Sequence, residues 1–407
     1  MYIVQIRCHN VRGFRELKLD FADTREKRAS LYPRRRTLIV GKNGTCKTTL
    51  LRCVALGLCD EHDATALLAE DIGNQIGEYD DHATIELDVY DPERGSKTTL
   101  VTRIERERRK EFAKKNDVRN DEGKMLVCAY GIGRFFEGQE TLARAYRMVD
   151  SVYSLFKYEE TLAGMELTMR RLREYLQRKA YDKIMQHVKS VIGLGASEKL
   201  GISHGGGLYM REAYTRTRIS LEGWADGYRV TLLWLLDIFA WALRARCISS
   251  EGRIPGILLI DELEQHLHPS LQRRLLRTLG KLLPDMQILA TTHSPSVALG
   301  ASPNELVVLK KKHGNIIRVE IPDFSGYSIE DITRDDKLFD SEVYSLEFSG
   351  KLRQYERLIS KPRTRRTPTE NKKLKALASD LAAKQMIPCE DDGRFGELDR
   401  LIKKYNL

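Results

Sequence analysis

The sequence lacks the features that mark several classes of protein. Its seven cysteines among 407 residues are scattered and form no C-x-x-C pair, which indicates neither a zinc site nor a disulfide framework. No apolar run approaches the roughly 20 residues that a membrane helix needs, and the chain does not open on a signal peptide. The sequence therefore predicts a protein of the reducing cytoplasm that has no membrane partner.

The composition is that of an ordinary globular protein large enough for two lobes. Charged residues make up 31% of the chain and hydrophobic residues 42%. The formal net charge of +10 permits contact with nucleic acid. It does not establish such contact, because an excess of lysine and arginine is often only a solvated surface.

A glycine-containing loop between an apolar run and an amphipathic run is the strongest indication of a ligand-binding site in the sequence. Leu38–Val40 predicts a buried strand and Thr49–Leu58 a helix, and Gly41–Thr48 between them fits G-x-x-x-x-G-K-[ST] except at Cys46. Backbone N–H groups at such a helix start cradle phosphates. The alternative is a glycine-rich turn without a ligand. The predicted nucleotide-binding residues are Asn43, Gly44, Thr45, Cys46, Lys47, Thr48 and Thr49, of which Lys47 reaches the β- and γ-phosphates and Thr48 holds Mg²⁺.

A second apolar run ends in two acids. Ile257–Ile260 predicts a buried strand, and Asp261 directly after it can hold the Mg²⁺ shell. Glu262 is then placed to polarise an attacking water. A buried strand that ends in two surface acids is the alternative interpretation.

Histidines follow both strands of this predicted edge. The strand predicted at Ile288–Ala290 continues through two threonines to His293. At that position His293 can hydrogen-bond a γ-phosphate. Glu264, His266 and His268 could suggest a metal site, but their spacing is poor for one helix face. A structural loop is the favoured interpretation of these three residues.

A glycine-containing turn precedes the apolar helix predicted over residues 230–243. The turn lies within Leu221–Arg229 and includes Ala225, Asp226 and Gly227. A helix N-terminus of this kind can bind an anion, and in a head-to-tail pair of chains it could close over the partner's γ-phosphate.

Alternating strands and helices predict an α/β fold around a mostly parallel sheet, with an antiparallel β subdomain near the N-terminus. Helical periodicity runs through 155–192, with Met165, Met169, Leu172 and Leu176 on one stripe. The charge-dense stretch 105–124 favours a solvated or disordered loop over a basic finger. Predicted strands cover 2–7, 17–21, 83–90 and 98–104, and predicted C-terminal helices cover 341–359, 370–385 and 394–405.

The order of these elements resembles the ABC-type ATPases of the RecF/SMC/Rad50-like group. More narrowly, it is similar to ATPases of bacterial anti-phage defence, of the Septu and retron-associated kinds. The resemblance covers roughly residues 1–310. The stretches that carry it are Asn10–Phe14, Gly41–Thr48, Ala129–Gly131, Asp226–Arg229, Ile260–Pro269 and Thr292–Pro295.

The resemblance implies a homodimer or higher oligomer that holds ATP and Mg²⁺ between chains. In that arrangement Thr48 and Asp261 serve the metal, Glu262 the water and His293 the γ-phosphate, while residues 225–228 act on the other chain's nucleotide. It further implies an ABC-type head over 1–325 with a helical insertion at about 140–205. Residues 326–407 are then a helical region for docking a partner.

Two positions depart from the family pattern, which has glycine in place of Cys46 and serine in place of Ala225. Both affect hydrolysis more than binding, so the chain is expected to hydrolyse ATP slowly. The favoured function is a defence ATPase that senses or gates and controls a separate co-encoded effector such as a nuclease, since the chain shows no nuclease motif itself. A RecF-like repair ATPase that clamps DNA directly, and a scaffold with structural ATP, are the alternatives.

Overall fold

The structure is a computed structural model of the 407-residue chain. It describes residues 1–21, 33–70, 75–76, 81–107, 110–115, 125–134, 146–158, 162–195, 197–203, 207–212, 215–341, 343–362 and 365–385. The predicted helix at 394–405 lies outside these residues.

A six-stranded sheet forms the centre of the fold. Its strands follow the order β14-β13-β3-β12-β11-β7, and all neighbours are parallel except the β13–β14 pair. Strands β3, β12, β11 and β7 are almost wholly buried. Their sequences are therefore apolar runs rather than alternating patterns. Their bounds are β3 Arg36–Val40, β7 Leu126–Tyr130, β11 Gly256–Ile260, β12 Met286–Thr292, β13 Leu306–Lys312 and β14 Asn315–Val319.

An antiparallel sheet from the N-terminal part of the chain covers one face of this central sheet. Its order is β2-β1-β4-β5-β6, as the alternating sequence near the N-terminus predicts. Helix α1 shares an apolar cluster with it, to which the central sheet contributes Ile39, Val127 and Leu259. The bounds are β1 Tyr2–Val11, β2 Phe14–Asp20, β4 His82–Asp91, β5 Ser96–Glu107, β6 Lys110–Lys115 and α1 Lys47–Leu58, followed by α2 Glu61–Glu70.

The prediction of a solvated or disordered loop over 105–124 is wrong for residues 105–107 and 110–115, the part that the structure describes. Strand β5 continues to Glu107, and β6 pairs with it in antiparallel register. Lys115 lies at the end of β6. Its buried ammonium donates to Leu56 O (2.7 Å) and Gly57 O (3.0 Å) at the carbonyl end of α1. These contacts hold the charged strand against the helix. A cation at that end of a helix is favourable.

Helices cover the opposite face of the central sheet. Leu38, Leu258 and Ile260 point into this second cluster, in alternation with the residues that face α1. The predicted stripe Met165, Met169, Leu172 and Leu176 is buried there. The helices on this face are α4 Met165–Tyr175, α5 Arg178–Ile192, α6 Asp226–Arg244, α7 Pro269–Leu282, α8 Pro295–Leu299 and α9 Ile329–Arg334. Helix α3, Met148–Val152, instead contributes Val149 and Val152 to the cluster beside α1.

A small three-stranded antiparallel sheet precedes α6, and the sequence analysis did not predict it. Its strands are β8 Lys199–Ile202, β9 Leu208–Arg211 and β10 Arg218–Ser220, in the order β10-β9-β8. Strands of three or four residues are too short for an alternating pattern to stand out.

The chain divides into two compact units, Met1–Phe339 and Asp340–Leu407. The second unit contains α10 Leu346–Ile359 and α11 Pro368–Gln385, close to the predicted C-terminal helices. Tyr355, Leu374, Leu377 and Leu381 form its core. Across the described residues, no helix has both the length and the apolar composition that crossing a membrane requires.

Candidate functional site

The loop from β3 to α1 is tightly wound at Gly41. A Cβ atom at this position would lie 2.5 Å from Thr45 Oγ1 and 2.6 Å from Leu309 O, so only glycine fits. Gly44 adopts a φ of +79°, a conformation that suits glycine. The chain then enters α1 at Lys47. The N–H groups at the start of α1 therefore lie at the mouth of a compact loop, the arrangement that binds phosphate.

Lys47 folds back across this loop. Its Nζ donates to Gly41 O (2.8 Å) and Lys42 O (3.2 Å), and the residue is only 6% exposed. Burial lowers the pKa of Lys47 to about 8, against the opposing effects of Asp261, Glu262 and Glu264. The ammonium thus lies in a site where its charge is poorly solvated, and an anion in the loop would relieve that cost.

Cys46 occupies the left-handed region that its glycine-like position demands. It caps α1 with a φ of 58° and a ψ of 31°, a conformation that costs a non-glycine residue roughly 1 kcal/mol. Its Sγ is directed to Gly13, lying 3.0 Å from where a Cβ on Gly13 would be, and it packs on the apolar cluster beside α1. The absence of a side chain at Gly13 makes room for this sulfur.

Asp261 links the loop to the edge of the central sheet. Thr48 Oγ1 donates to its Oδ2 (2.7 Å), and Thr291 Oγ1 donates to its Oδ1 (2.6 Å). Asp261 is 4% exposed and directly follows β11, so it lies where the carboxyl ends of β11 and β12 meet α1. A hydroxyl and a carboxylate oxygen together are the kind of ligands that Mg²⁺ prefers. The predicted metal pair Thr48 and Asp261 is therefore in contact and chemically suited to that ion.

Glu262 follows in a strained backbone conformation. Its φ is 48°, and its N–H donates to Thr291 Oγ1 (2.8 Å). Burial, followed by the charges of Asp261 and Glu264, raises the pKa of Glu262. A carboxylate with a raised pKa is a better proton acceptor at neutral pH. Unusual backbone geometry at such a residue is typical of functional sites.

Glu264 holds the segment that carries His293. Its carboxylate accepts from Thr292 Oγ1 (2.6 Å) and from the His293 N–H (2.6 Å). Burial, and then the nearby Lys47 ammonium, lower the pKa of His293, which favours the neutral imidazole. The sequence analysis weighed Glu264 only as a metal ligand beside His266 and His268 and missed this positioning role.

The structural interpretation of His266 and His268 agrees with their surroundings. His268 is the N-cap of α7, and its Nδ1 accepts from the Ser270 N–H (3.3 Å). In the described part of the chain, these histidines and Glu264 do not form a metal-ligating cluster.

Arg134 is a second residue that the sequence analysis missed. Its buried guanidinium donates to Asp261 O (2.6 Å) and Gly131 O (3.0 Å) and lies 5.7 Å from the Trp234 ring of α6. Burial lowers its pKa to about 10, so it stays charged at neutral pH. A charged residue just after the buried strand β7 was the available signal. Arg134 fixes the backbone of Asp261 to the end of that strand.

The turn at Ala225 packs against the backbone after Glu262, since a Cβ on Gly227 would lie 2.1 Å from His266 O. Ala225 is the N-cap of α6, and its carbonyl accepts from the Tyr228 N–H (3.0 Å). The Asp226 side chain is 84% exposed. Among the described residues, no hydrogen bond joins Ala225, Asp226 or Gly227 to the loop of Lys47. The turn is open to solvent and can be reached by another molecule.

Two family models match parts of the chain. One is described as "AAA domain" and matches residues 5–127. The other is described as "AAA domain, putative AbiEii toxin, Type IV TA system" and matches residues 234–299. The first match contains the loop of Lys47, and the second contains Asp261, Glu262 and His293.

The curated relatives are Septu and retron proteins of bacteria. The Septu protein PtuA of Bacillus mycoides (strain KBAB4) is 23% identical over 338 residues, 81% of this chain and 43% of that protein. The Septu protein PtuA of Bacillus thuringiensis is 38% identical over 85 residues, 20% of this chain and 22% of that protein. The retron Ec83 probable ATPase of Escherichia coli is 42% identical over 55 residues, 14% of this chain and 10% of that protein. The matched stretches thus span less than half of each relative.

Among solved structures, the SMC head domain from Thermotoga maritima aligns with a TM-score of 0.45 at 15% identity, covering 79% of this chain and 100% of that one. RecF of the RecFOR pathway aligns with a TM-score of 0.40 at 14% identity, covering 78% of this chain and 98% of that one. These likenesses are too distant to carry function. The curated relatives confirm the resemblance to Septu and retron-associated ATPases that the motifs predict, so this chain is similar to the Septu protein PtuA and to retron ATPases.

Proposed function

We propose that this chain binds ATP with Mg²⁺ and hydrolyses it slowly, as an ABC-type ATPase subunit that controls a separate effector in anti-phage defence. The observation that carries the nucleotide site is the meeting of Lys47, Thr48 and Asp261 where α1 begins. A buried ammonium, a loop of N–H groups and an oxygen pair for a metal converge there. Such a set is what triphosphate binding requires.

Each residue near this point has a separate task. Lys47 neutralises the β- and γ-phosphates, and Thr48 and Asp261 would hold Mg²⁺, which neutralises phosphate charge when bound. Glu262 accepts the proton of the attacking water, aided by its raised pKa. Thr291, Arg134 and Glu264 keep these groups in place through the contacts described above. Catalysis by positioning depends on such supporting contacts.

The exposed turn at Ala225 supports a site shared between two chains. A helix N-terminus open to solvent can meet the γ-phosphate that a second chain holds. The functional unit is then a homodimer or a higher oligomer. The defence role is supported by similarity to Septu and retron proteins. Tight, salt-sensitive binding of duplex DNA that requires ATP and dimer formation, but no effector, would instead favour a RecF-like clamp.

The C-terminal region is proposed to dock the effector, and the division of the chain at Asp340 supports a truncation there rather than at residue 326. Ile332 and Leu338 belong to the large apolar cluster of the first unit, so a cut at residue 325 would open that cluster. Removing residues 340–407 is expected to keep ATP affinity within about threefold and to abolish co-purification of the protein encoded by the adjacent gene. Partner retention after this truncation would place the docking surface on the first unit.

Slow hydrolysis is attributed to Cys46 and Ala225. Replacing both, as Cys46→Gly with Ala225→Ser, is expected to raise steady-state phosphate release at least about tenfold. The reason is that a displacement of about 1 Å can cost on the order of 100-fold in rate, and a missing donor roughly 10²–10³. Cys46→Ala is the matched control, because it removes the sulfur but keeps a side chain in the left-handed conformation. A parent that already turns over briskly, or a double variant that is no faster, would contradict this explanation.

A further inference from the structure

Three cations lie side by side on the small sheet β8–β10. In the strand register, Lys199 is opposite Arg211, and Arg211 is opposite Arg218. Like charges directly opposite one another destabilise a sheet. Neighbouring strands are about 4.8 Å apart, so the row extends for about 10 Å.

The row belongs to the outer face of this sheet. The inner face is apolar, and its Leu200, Met210 and Ile219 pack against the large cluster. Lys199 and Arg218 are exposed and Arg211 is half-buried. Side chains along each strand point alternately to the apolar inner face and to the outer face, so the three cations share the outer face.

Within the part of the chain that the structure describes, no ion pair engages any of these three side chains. The Arg211 Nε donates to the backbone, at Arg216 O (3.3 Å). The row therefore carries an unfavourable repulsion that no described carboxylate offsets. An external polyanion would offset it.

An aromatic ring adjoins the row. Tyr209 lies on the same face, with the Arg218 guanidinium 4.9 Å from its ring centre. A Cβ on Gly201 would lie 2.8 Å from the Tyr209 ring, so the ring packs over Gly201 of the neighbouring strand β8. Basic side chains combined with an aromatic ring are the surface that nucleic-acid strands use.

We propose that this face, made of Lys199, Tyr209, Arg211 and Arg218, binds the phosphate backbone of a nucleic acid. Three neighbouring cations can contact up to about three phosphates of one backbone. The face is also tied to the turn at Ala225, because Trp224 is buried and its Nε1 donates to Ile219 O of β10 (3.0 Å). Nucleic acid bound here would act on the segment proposed to meet a second chain's nucleotide.

The test measures fluorescence anisotropy of labelled single-stranded DNA, duplex DNA and RNA, each of about 30 nucleotides, with the full chain. Titrations run with and without ATP and Mg²⁺, between about 50 and 200 mM salt. The triple variant should weaken binding at low salt at least about tenfold; it combines Lys199→Gln, Arg211→Gln and Arg218→Gln. The slope of log affinity against log salt should flatten by about 2–3, as expected for three lost phosphate contacts.

A matched variant removes three exposed cations elsewhere, at Lys18, Arg277 and Lys311, and should lose less than about threefold. Tyr209→Leu should weaken the binding of single-stranded DNA more than the binding of duplex DNA. If the triple variant does not fold, Arg218→Gln alone replaces it in the test. Equal loss in the matched variant, unchanged binding in the triple variant, or no binding by the parent would overturn the proposal. ATP affinity, measured separately by calorimetry, should be the same in all variants, so failure here is distinct from failure of the nucleotide site.

Discussion

Replacing Lys47 by alanine is expected to weaken ATP binding by at least about 100-fold. The side chain brings a buried ammonium into the loop, and truncating one member of a desolvated charge pair costs about 2–5 kcal/mol. Each 1.4 kcal/mol corresponds to about tenfold in affinity. Isothermal titration calorimetry with ATP and Mg²⁺ measures the change.

Lys42→Ala is the control for this substitution. Lys42 is an exposed lysine of the same loop, and its loss should change ATP affinity by less than about threefold. Equal affinities of parent and Lys47→Ala would refute the assignment of this loop to phosphate binding.

The same ammonium should make ATP affinity depend on pH. In the free protein, burial places the Lys47 pKa at about 8, and bound phosphates would raise it, since an opposite charge favours the charged form. Binding above pH 8 therefore requires uptake of a proton, so affinity should fall as pH rises and be about tenfold weaker at pH 9 than at pH 7. Lys47→Arg, which stays charged, should lose this dependence.

Glu262→Gln is expected to lower phosphate release by about 100- to 1000-fold while ATP still binds. A general base contributes typically about 10²–10⁴-fold in rate, and glutamine keeps the shape of the side chain without its basicity. With ATP and Mg²⁺ this variant should accumulate as a dimer or larger species in light scattering, because the shared nucleotide is not consumed.

A second substitution tests the shared site directly. Ala225→Arg in the Glu262→Gln background places a bulky cation on the exposed turn and should return the protein to the monomer. A strict monomer of Glu262→Gln with ATP, or a dimer that ignores Ala225→Arg, would contradict the shared-site arrangement.

The sequence predicted the parts of the site whose signals are local. The loop before α1 and the acids after β11 each follow an apolar run directly, and the carboxyl ends of parallel strands meet at one edge. Thr48 and Asp261 could be paired on that ground alone, and the structure brings them to 2.7 Å.

The supporting residues could not be predicted in the same way. Arg134 and Asp261 are 127 positions apart, and Glu264 and His293 are 29 apart. No periodicity records such contacts, because they depend on how β7, β11 and β12 are ordered in the sheet. Strand β6 was missed for a related reason, since its order depends on Lys115 reaching the end of α1, a tertiary contact.

The contact between Cys46 and Gly13 makes two distant positions of the chain interdependent. A methyl group at position 13 would approach Cys46 Sγ to 3.0 Å and Ile316 Cγ1 to 2.9 Å. With glycine at position 46, one of these two collisions disappears, and position 13 becomes less restricted. Substitution in the loop before α1 is therefore coupled to a turn of the antiparallel sheet, because a side chain at position 13 is accommodated more readily beside glycine at position 46 than beside cysteine.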